Sequence, residues 1–366
     1  MTLLNQIAKT TNKKEIILKT LRQSELPLII YGAGSYASDV VKFLNRNNVE
    51  VDMACVDSEY IQNSKYPIMD EGIKVTTIED ICSKYGIFNI VIGFSDYRKA
   101  VTRLESIQGV AEVFFVDTPD HLDFFDYQYI VEHLNDFEFT YNLLADQLSK
   151  DTFIAYINAK ISGQPDGLYD LIEKNPYFPD FLPLCLNEVF VDCGAFDGDT
   201  ILEFVKRTDG KYNKIYAFEP DGRNYKKLTQ TIDTNRIKCV QPYKMGCWHS
   251  KTTLRFTSNG TMTSLVPNEG DVAIDVEAVD SIVDCARVTF IKMDIEGAEL
   301  AALHGAAKTI EISKPKLAIC VYHKPEDLIT IPQYINSIVP EYKFFLRHHQ
   351  FISWETVLYA IPPYEK

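Results

Sequence analysis

The feature that most constrains this chain is an apolar strand pattern that runs straight into a glycine turn. It occurs twice, as LIIYGAGSYAS from 28 to 38 and as VFVDCGAFDGDT from 189 to 200. Each copy opens a series in which strand and helix patterns alternate, and such alternation demands a parallel sheet joined by right-handed crossovers. In the first series the strands are LPLIIY, VDMACVD, FNIVIGF and VAEVFFVD, separated by helix patterns such as YASDVVKFLNRNN. In the second they are VFVDCG, IYAFEP, IKCVQPY, LRFTS, VEAVD, FIKMDIEG, KLAICVYH, KFFLRHH and ETVLYAI. The last two follow one another too closely for a crossover, so an antiparallel edge is expected on an otherwise parallel sheet.

A chain of 366 residues exceeds the roughly 100 to 200 of a single domain. The expected organisation is α/β with two Rossmann-like doubly wound domains, over 1–120 and 186–366. A helical, aromatic-rich connector covers 121–185 and breaks at SGQPDG. Its end, NPYFPDFLP, holds three prolines and cannot be a regular helix. The 46% apolar and 24% charged fractions are those of a globular chain. A net charge of -14 argues against a nucleic-acid or anionic-membrane surface. The eight cysteines show neither CxxC nor zinc-ligand spacing and read as reduced core residues of a cytoplasmic protein. The N-terminal segment spreads its lysines and lacks the apolar core of a signal peptide. No apolar run approaches the ~18 residues of a membrane span.

In a doubly wound sheet the ligand lies outside the carboxyl ends of the strands, where a glycine turn lets the backbone come close. DCGAFDG meets that demand with Asp192 ending the strand and Gly194 and Gly198 in the turn, while the next strand ends in Glu219, suited to ribose hydroxyls. Asp197 and Asp199 would repel a pyrophosphate but suit a cationic ligand, which points to S-adenosylmethionine. The first turn, GAGSYAS, carries Gly32 and Gly34, with Asp57 ending the next strand. It matches the dinucleotide pattern with Ala37 in the third glycine position, and is either a second nucleotide site or a fold retained for dimerisation or for shaping the acceptor site.

Taken together, VFVDCGAFDGDT, YAFEP, FIKMDIEGAEL, VYHKPEDL and ETVLYA resemble, in order, the FkbM family of S-adenosylmethionine-dependent methyltransferases over about 186 to 366. The resemblance implies the Rossmann-like methyltransferase sheet, O-methylation, and acceptors that include sugars and other hydroxyl compounds. It makes Asp192, Gly194, Phe196, Asp197, Gly198, Glu219 and Pro220 the expected cofactor residues. A hydroxyl acceptor needs a base. His323 is the expected base, with Asp294 orienting it or touching the methionine ammonium, and Glu296 binding the acceptor or merely starting a helix. Lys292 is expected to pair with Asp294, and of His348 and His349 only one can face the site. No metal is assigned: a divalent ion on Asp294, Glu296 and histidines would also activate a hydroxyl, but these residues show no tight ligand spacing. Tyr177 and Phe178 either lid the site or fill a seam.

The partner is expected to be a small-molecule or glycan acceptor such as a nucleotide-linked sugar, with homo-oligomerisation left open. YINAK places Tyr156 and Lys160 in a YxxxK arrangement, but within the aromatic connector, where it reads as coincidence. The rival functions are a nicotinamide-dependent sugar oxidoreductase and a non-catalytic nucleotide-sugar binding protein.

Overall fold

The computed structural model describes residues 2–61, 65–117, 126–256 and 272–363. The expected domain boundary at 120/121, the first residues of the connector and the end of LRFTS lie outside the described residues. The chain forms two compact units, each assembled from separated stretches. The first comprises Met1–Val131, Ile154–Ile172 and Gln350–Trp354, the second Glu132–Phe153, Glu173–His349 and Glu355–Lys366.

The first unit is built on five strands, β1 (Leu28–Tyr31), β2 (Met53–Val56), β3 (Val75–Thr77), β4 (Phe88–Ile92) and β5 (Val110–Phe114). They run parallel in the order β3-β2-β1-β4-β5, a doubly wound sheet. β1 and β4 are wholly buried because helices cover both faces of the sheet. Leu18, Val40, Leu44 and Ile68 pack on one side, Ile81, Tyr97, Leu104 and Phe115 on the other. The short half-buried edge strand β3 escapes the sequence pattern because three residues give no periodicity.

The second unit adds ten strands: β6 (Val189–Cys193), β7 (Lys214–Phe218), β8 (Val240–Tyr243), β9 (Gly246–Cys247), β10 (Thr252–Phe256), β11 (Val272–Glu277), β12 (Phe290–Met293), β13 (Lys316–Cys320), β14 (Lys343–His348) and β15 (Thr356–Ile361). Seven form the main sheet in the order β14-β15-β13-β12-β6-β7-β8. β15 runs antiparallel to both neighbours, which gives the expected antiparallel edge. The strand order reverses between β6 and β12, so a crevice opens beyond their carboxyl ends. Phe178, Phe190, Phe204 and Phe290 stack into the core beneath, with Phe190 and Phe204 centroids 4.6 Å apart.

Two expectations are corrected here. β9, β10 and β11 leave the main series and form a separate three-stranded sheet, order β10-β11-β9. VEAVD is not one strand either, since β11 ends at Glu277 and Val279–Ser281 is a single 3-10 turn.

Candidate functional site

The site is assembled where the glycine turn after β6 meets the loop after β12. Gly194 has φ 82°, and a Cβ there would stand 2.0 Å from the Asp294 carbonyl oxygen. Only glycine lets the two loops touch. Phe196 follows at φ 47° with its ring half exposed. Its N–H donates to Glu219 Oε2 at 2.9 Å, and the Asp221 N–H donates to Glu219 Oε1 at 2.9 Å, so the backbone aims this carboxylate. Burial pushes Glu219 up to about 7 despite these donors.

Glu219 and Pro220 join Gly194, Phe196 and Phe218 along one side of a cleft of about 880 Å³, open solvent included. Asp294, Ile295, Glu296 and Ala298 line another side. Trp248, Leu254, Ile274 and Val276, from the small sheet and the residue after β9, supply an apolar wall.

Asp192 is placed differently from its expected part in the cofactor site. It is fully buried, lies outside the cleft lining, and sits 3.1 Å from Lys292 Nζ. Lys292 is therefore Asp192's partner rather than that of Asp294, which corrects the expected pairing. The reason is register: the two residues are paired neighbours on β6 and β12 and point to the same face. Lys292 Nζ also donates to the Gly194 carbonyl at 2.6 Å, tying the buried pair to the turn. Burial pushes Asp192 up to about 6, and the adjacent carboxylates, against burial, hold Lys292 firmly protonated. Asp197 and Gly198 lie in the turn but outside the cleft lining, and Gly198 precedes the helix Asp199–Arg207.

Asp294 begins an acidic cluster. Its Oδ2 accepts the Tyr177 hydroxyl at 2.8 Å and its Oδ1 accepts the Tyr322 hydroxyl at 3.2 Å. Both hydroxyls also stand near Glu355, at 3.4 and 3.5 Å. Burial would raise Asp294, but Lys292 and His323 hold it below the usual carboxylate range. His323 is buried, with Nδ1 2.9 Å from Glu299 Oε1 and Nε2 3.5 Å from Asp294 Oδ1 and 3.6 Å from Glu296 Oε2. Burial opposes its charge, yet these carboxylates outweigh burial and push the imidazole up to about 10. Glu296 has 41% of its side chain exposed, and partial desolvation together with the charges of Asp294 and Glu299 raises it to about 7 against the pull of His323.

Asp294, Glu299 and His323 bring one side-chain nitrogen or oxygen each within 4.8 Å of one another. As arranged, the imidazole itself supplies the positive charge between the carboxylates. Of the ten non-glycine residues at positive φ among the described residues, four belong to this site: Tyr177, Phe196, Glu296 and Glu355. Such strain concentrates where a binding surface dictates the backbone.

The remaining sequence candidates lie elsewhere. His348 Nδ1 meets Thr356 Oγ1 at 2.9 Å. His349 bridges the Glu173 carbonyl and the Tyr359 hydroxyl, and burial lowers it to about 4. Neither lines the cleft. Phe178 packs in the core, whereas Tyr177 reaches the site. In the first unit Gly32 has φ 125° and abuts the Gly93 carbonyl, and Asp57 is bound through both oxygens by Arg103. Tyr156 and Lys160 lie on the helix Gln147–Ser162, the ammonium 5.3 Å from the ring centroid.

Sequence reasoning missed Glu299, Tyr322, Glu355 and the apolar wall. Glu299 and Tyr322 had a signal, since each lies within three residues of a residue singled out. Glu355 had a weaker one, because an antiparallel last strand must begin at the carboxyl edge of the sheet.

The seven-stranded sheet with its antiparallel strand and its switch-point cleft defines a class I methyltransferase fold. Residues 192–353 match the family model of the methyltransferase FkbM domain. That match spans 162 of the 366 residues, 192 to 353. The crystal structure of methyltransferase FkbM from Methylobacillus flagellatus is 25% identical and aligns over 97% of this chain and 95% of that one, with a TM-score of 0.72. An rRNA methylase from Streptococcus thermophilus is 15% identical over 55% of this chain and 93% of its own, TM-score 0.33. Aeropyrum pernix fibrillarin in complex with S-adenosyl-L-methionine is 13% identical over 49% and 70%, TM-score 0.32. No curated protein matches the sequence. Among the described residues no helix is long and apolar enough to cross a membrane.

Proposed function

We propose that the second unit is an S-adenosylmethionine-dependent O-methyltransferase whose acceptor is a hydroxyl of a carbohydrate or nucleotide-linked sugar. The observation that carries this reading is the closure of Gly194 onto the Asp294 carbonyl, which brings the glycine turn, Glu219 and the acidic cluster onto one cleft. The residues present fit the cofactor. Glu219 keeps lone pairs for two ribose hydroxyls beyond the backbone donors it already accepts. Phe196, Pro220 and Trp248 offer flat apolar contacts for a purine. The carboxylates of Asp294 and Glu296 favour a ligand with cationic groups over a diphosphate.

When bound, the cofactor supplies an electrophilic methyl group. The chain's task is then to hold an acceptor oxygen in line with it and to remove the hydroxyl proton. In this reading Asp192 and Lys292 serve beneath the turn, fixing Gly194 from below. Asp197 and Gly198 shape the turn rather than touch the ligand. Gly32, Gly34 and Asp57 would form a second nucleotide site only if the Arg103 pair opened.

The test is calorimetric titration of the full chain with S-adenosylmethionine, followed by S-adenosylhomocysteine release with a panel of nucleoside diphosphate hexoses. Binding with turnover of a sugar supports the reading. Binding of a nicotinamide dinucleotide in place of S-adenosylmethionine would overturn it.

A further inference from the structure

The acid–base group of this site follows from asking which polar atoms are still able to accept a proton. A neutral imidazole has one nitrogen that donates and one that accepts. His323 has carboxylates facing both nitrogens at ion-pair distance, Glu299 at Nδ1 and Asp294 with Glu296 at Nε2, and the charge of these carboxylates favours the doubly protonated ring. An imidazolium has no lone pair left, and the ring is 4% exposed and outside the cleft lining. Asp294 is committed as well, one oxygen to Tyr177 and the other to Tyr322. Glu299 is fully buried and accepts the Ile295 N–H at 2.8 Å. Glu296 remains. Its carboxylate lines the cleft, is partly exposed, and among the described residues makes only the ion pair with His323.

We propose that Glu296 is the catalytic residue that takes the proton of the acceptor hydroxyl, and that His323, pinned by Glu299, is a positioning residue whose fixed charge holds Glu296 in place. The proposal rests on the methyltransferase reading above. The acceptor O–H bond breaks, the oxygen pair forms the new O–CH3 bond, the carbon–sulfur bond pair stays on sulfur to leave a neutral thioether, and the proton passes to Glu296.

The groups facing Glu296 are Asp294 on its own loop, Lys292 in β12, Glu299 at the following helix, and Tyr322 with His323 after β13. Those facing His323 are Glu299, Asp294, Glu296, Asp327 and Glu355, with the Tyr322 ring 4.0 Å away. Partial desolvation, with the charges of Asp294 and Glu299, raises Glu296 to about 7, near the value at which a base is both deprotonated and basic at neutral pH. Loss of the His323 charge would raise it further.

The experiment is NMR titration of the full chain labelled at glutamate carboxyl carbons and histidine ring nitrogens, from about pH 5 to about pH 9. The glutamate signal absent from Glu296→Gln is expected to titrate near neutrality. Its midpoint should rise by about one unit or more in His323→Gln. The histidine signal absent from His323→Gln should stay in the imidazolium range throughout. If His323→Gln does not fold, Glu299→Gln should instead bring the histidine midpoint down toward neutrality. A Glu296 midpoint in the ordinary range near 4.3, or a His323 that is neutral at pH 7, would overturn the proposal.

With S-adenosylmethionine kept saturating at every pH and a sugar that is turned over, kcat/KM for the sugar should rise with pH through about 7. That limb should vanish in Glu296→Gln and move upward in His323→Gln, and the reverse pattern makes His323 the base. Calorimetry separates the two readings. Failure of the wild type to bind S-adenosylmethionine falls on the methyltransferase reading, whereas binding with an ordinary Glu296 titration falls on this proposal alone.

Discussion

At the scale of single residues, Glu219 sets opposite demands on binding and stability. Its folded value of about 7 lies above the unfolded value near 4.3. Its contribution to stability is therefore fully present below that unfolded value and is lost as pH rises through about 7. Ribose hydroxyls need the ionised form, so S-adenosylmethionine affinity should rise with pH over the same range, by up to about tenfold per unit. Calorimetry at several pH values checks this. Glu219→Gln should bind more weakly by about 1.5–3 kcal/mol with a flatter pH dependence. Gly194→Ala would put a Cβ 2.0 Å from the Asp294 carbonyl at φ 82°. It should cost about 2–4 kcal/mol, read as a lowered Tm, and spread the cleft.

At the scale of elements, the join between β6 and β12 is a buried ion pair rather than apolar contact alone. Asp192 and Lys292 are fully or almost fully buried, and Lys292 also holds the turn through Gly194. Lys292→Met leaves a carboxylate alone in the core and should destabilise by about 3–5 kcal/mol in denaturant melts, much of it recovered by adding Asp192→Asn. These elements also show what the sequence discloses. The glycine turns, Glu219 and the antiparallel edge were legible because each depends on neighbours within one strand and one turn. The pairing of Lys292 with Asp192 was not, since it is fixed by the register of strands about a hundred residues apart. The same holds for Tyr177, whose hydroxyl reaches Asp294 across 117 positions, and for the small sheet β10-β11-β9, whose edges look like any other strand in one dimension. The charge of His323 was likewise hidden, because it depends on three carboxylates converging on one ring.

At the scale of the whole molecule, the methyltransferase sheet draws on residues well before 186. Asp146 pairs with Arg347, Ser149 accepts the Leu346 N–H, and Tyr177 completes the cluster at Asp294. A fragment of residues 186–366 is expected to be less stable than the full chain and to bind S-adenosylmethionine at least tenfold more weakly. A fragment starting at 132 should recover part of that loss, and thermal melts with calorimetry compare them. The interleaving of the two units bears also on how the protein is made. The first unit ends only with Gln350–Trp354, and Ser353 there donates its N–H to the buried Asp117. A nascent chain of about 340 residues thus holds neither unit complete, so the usual order of one domain maturing on the ribosome before the next emerges does not apply. The five strands of the first sheet are all made by Phe114, but the main sheet of the second unit receives its antiparallel strand β15 only at Thr356–Ile361. A ribosome stalled before Thr356 should therefore display a second unit open to proteases and chaperones while the five strands of the first sheet have already emerged.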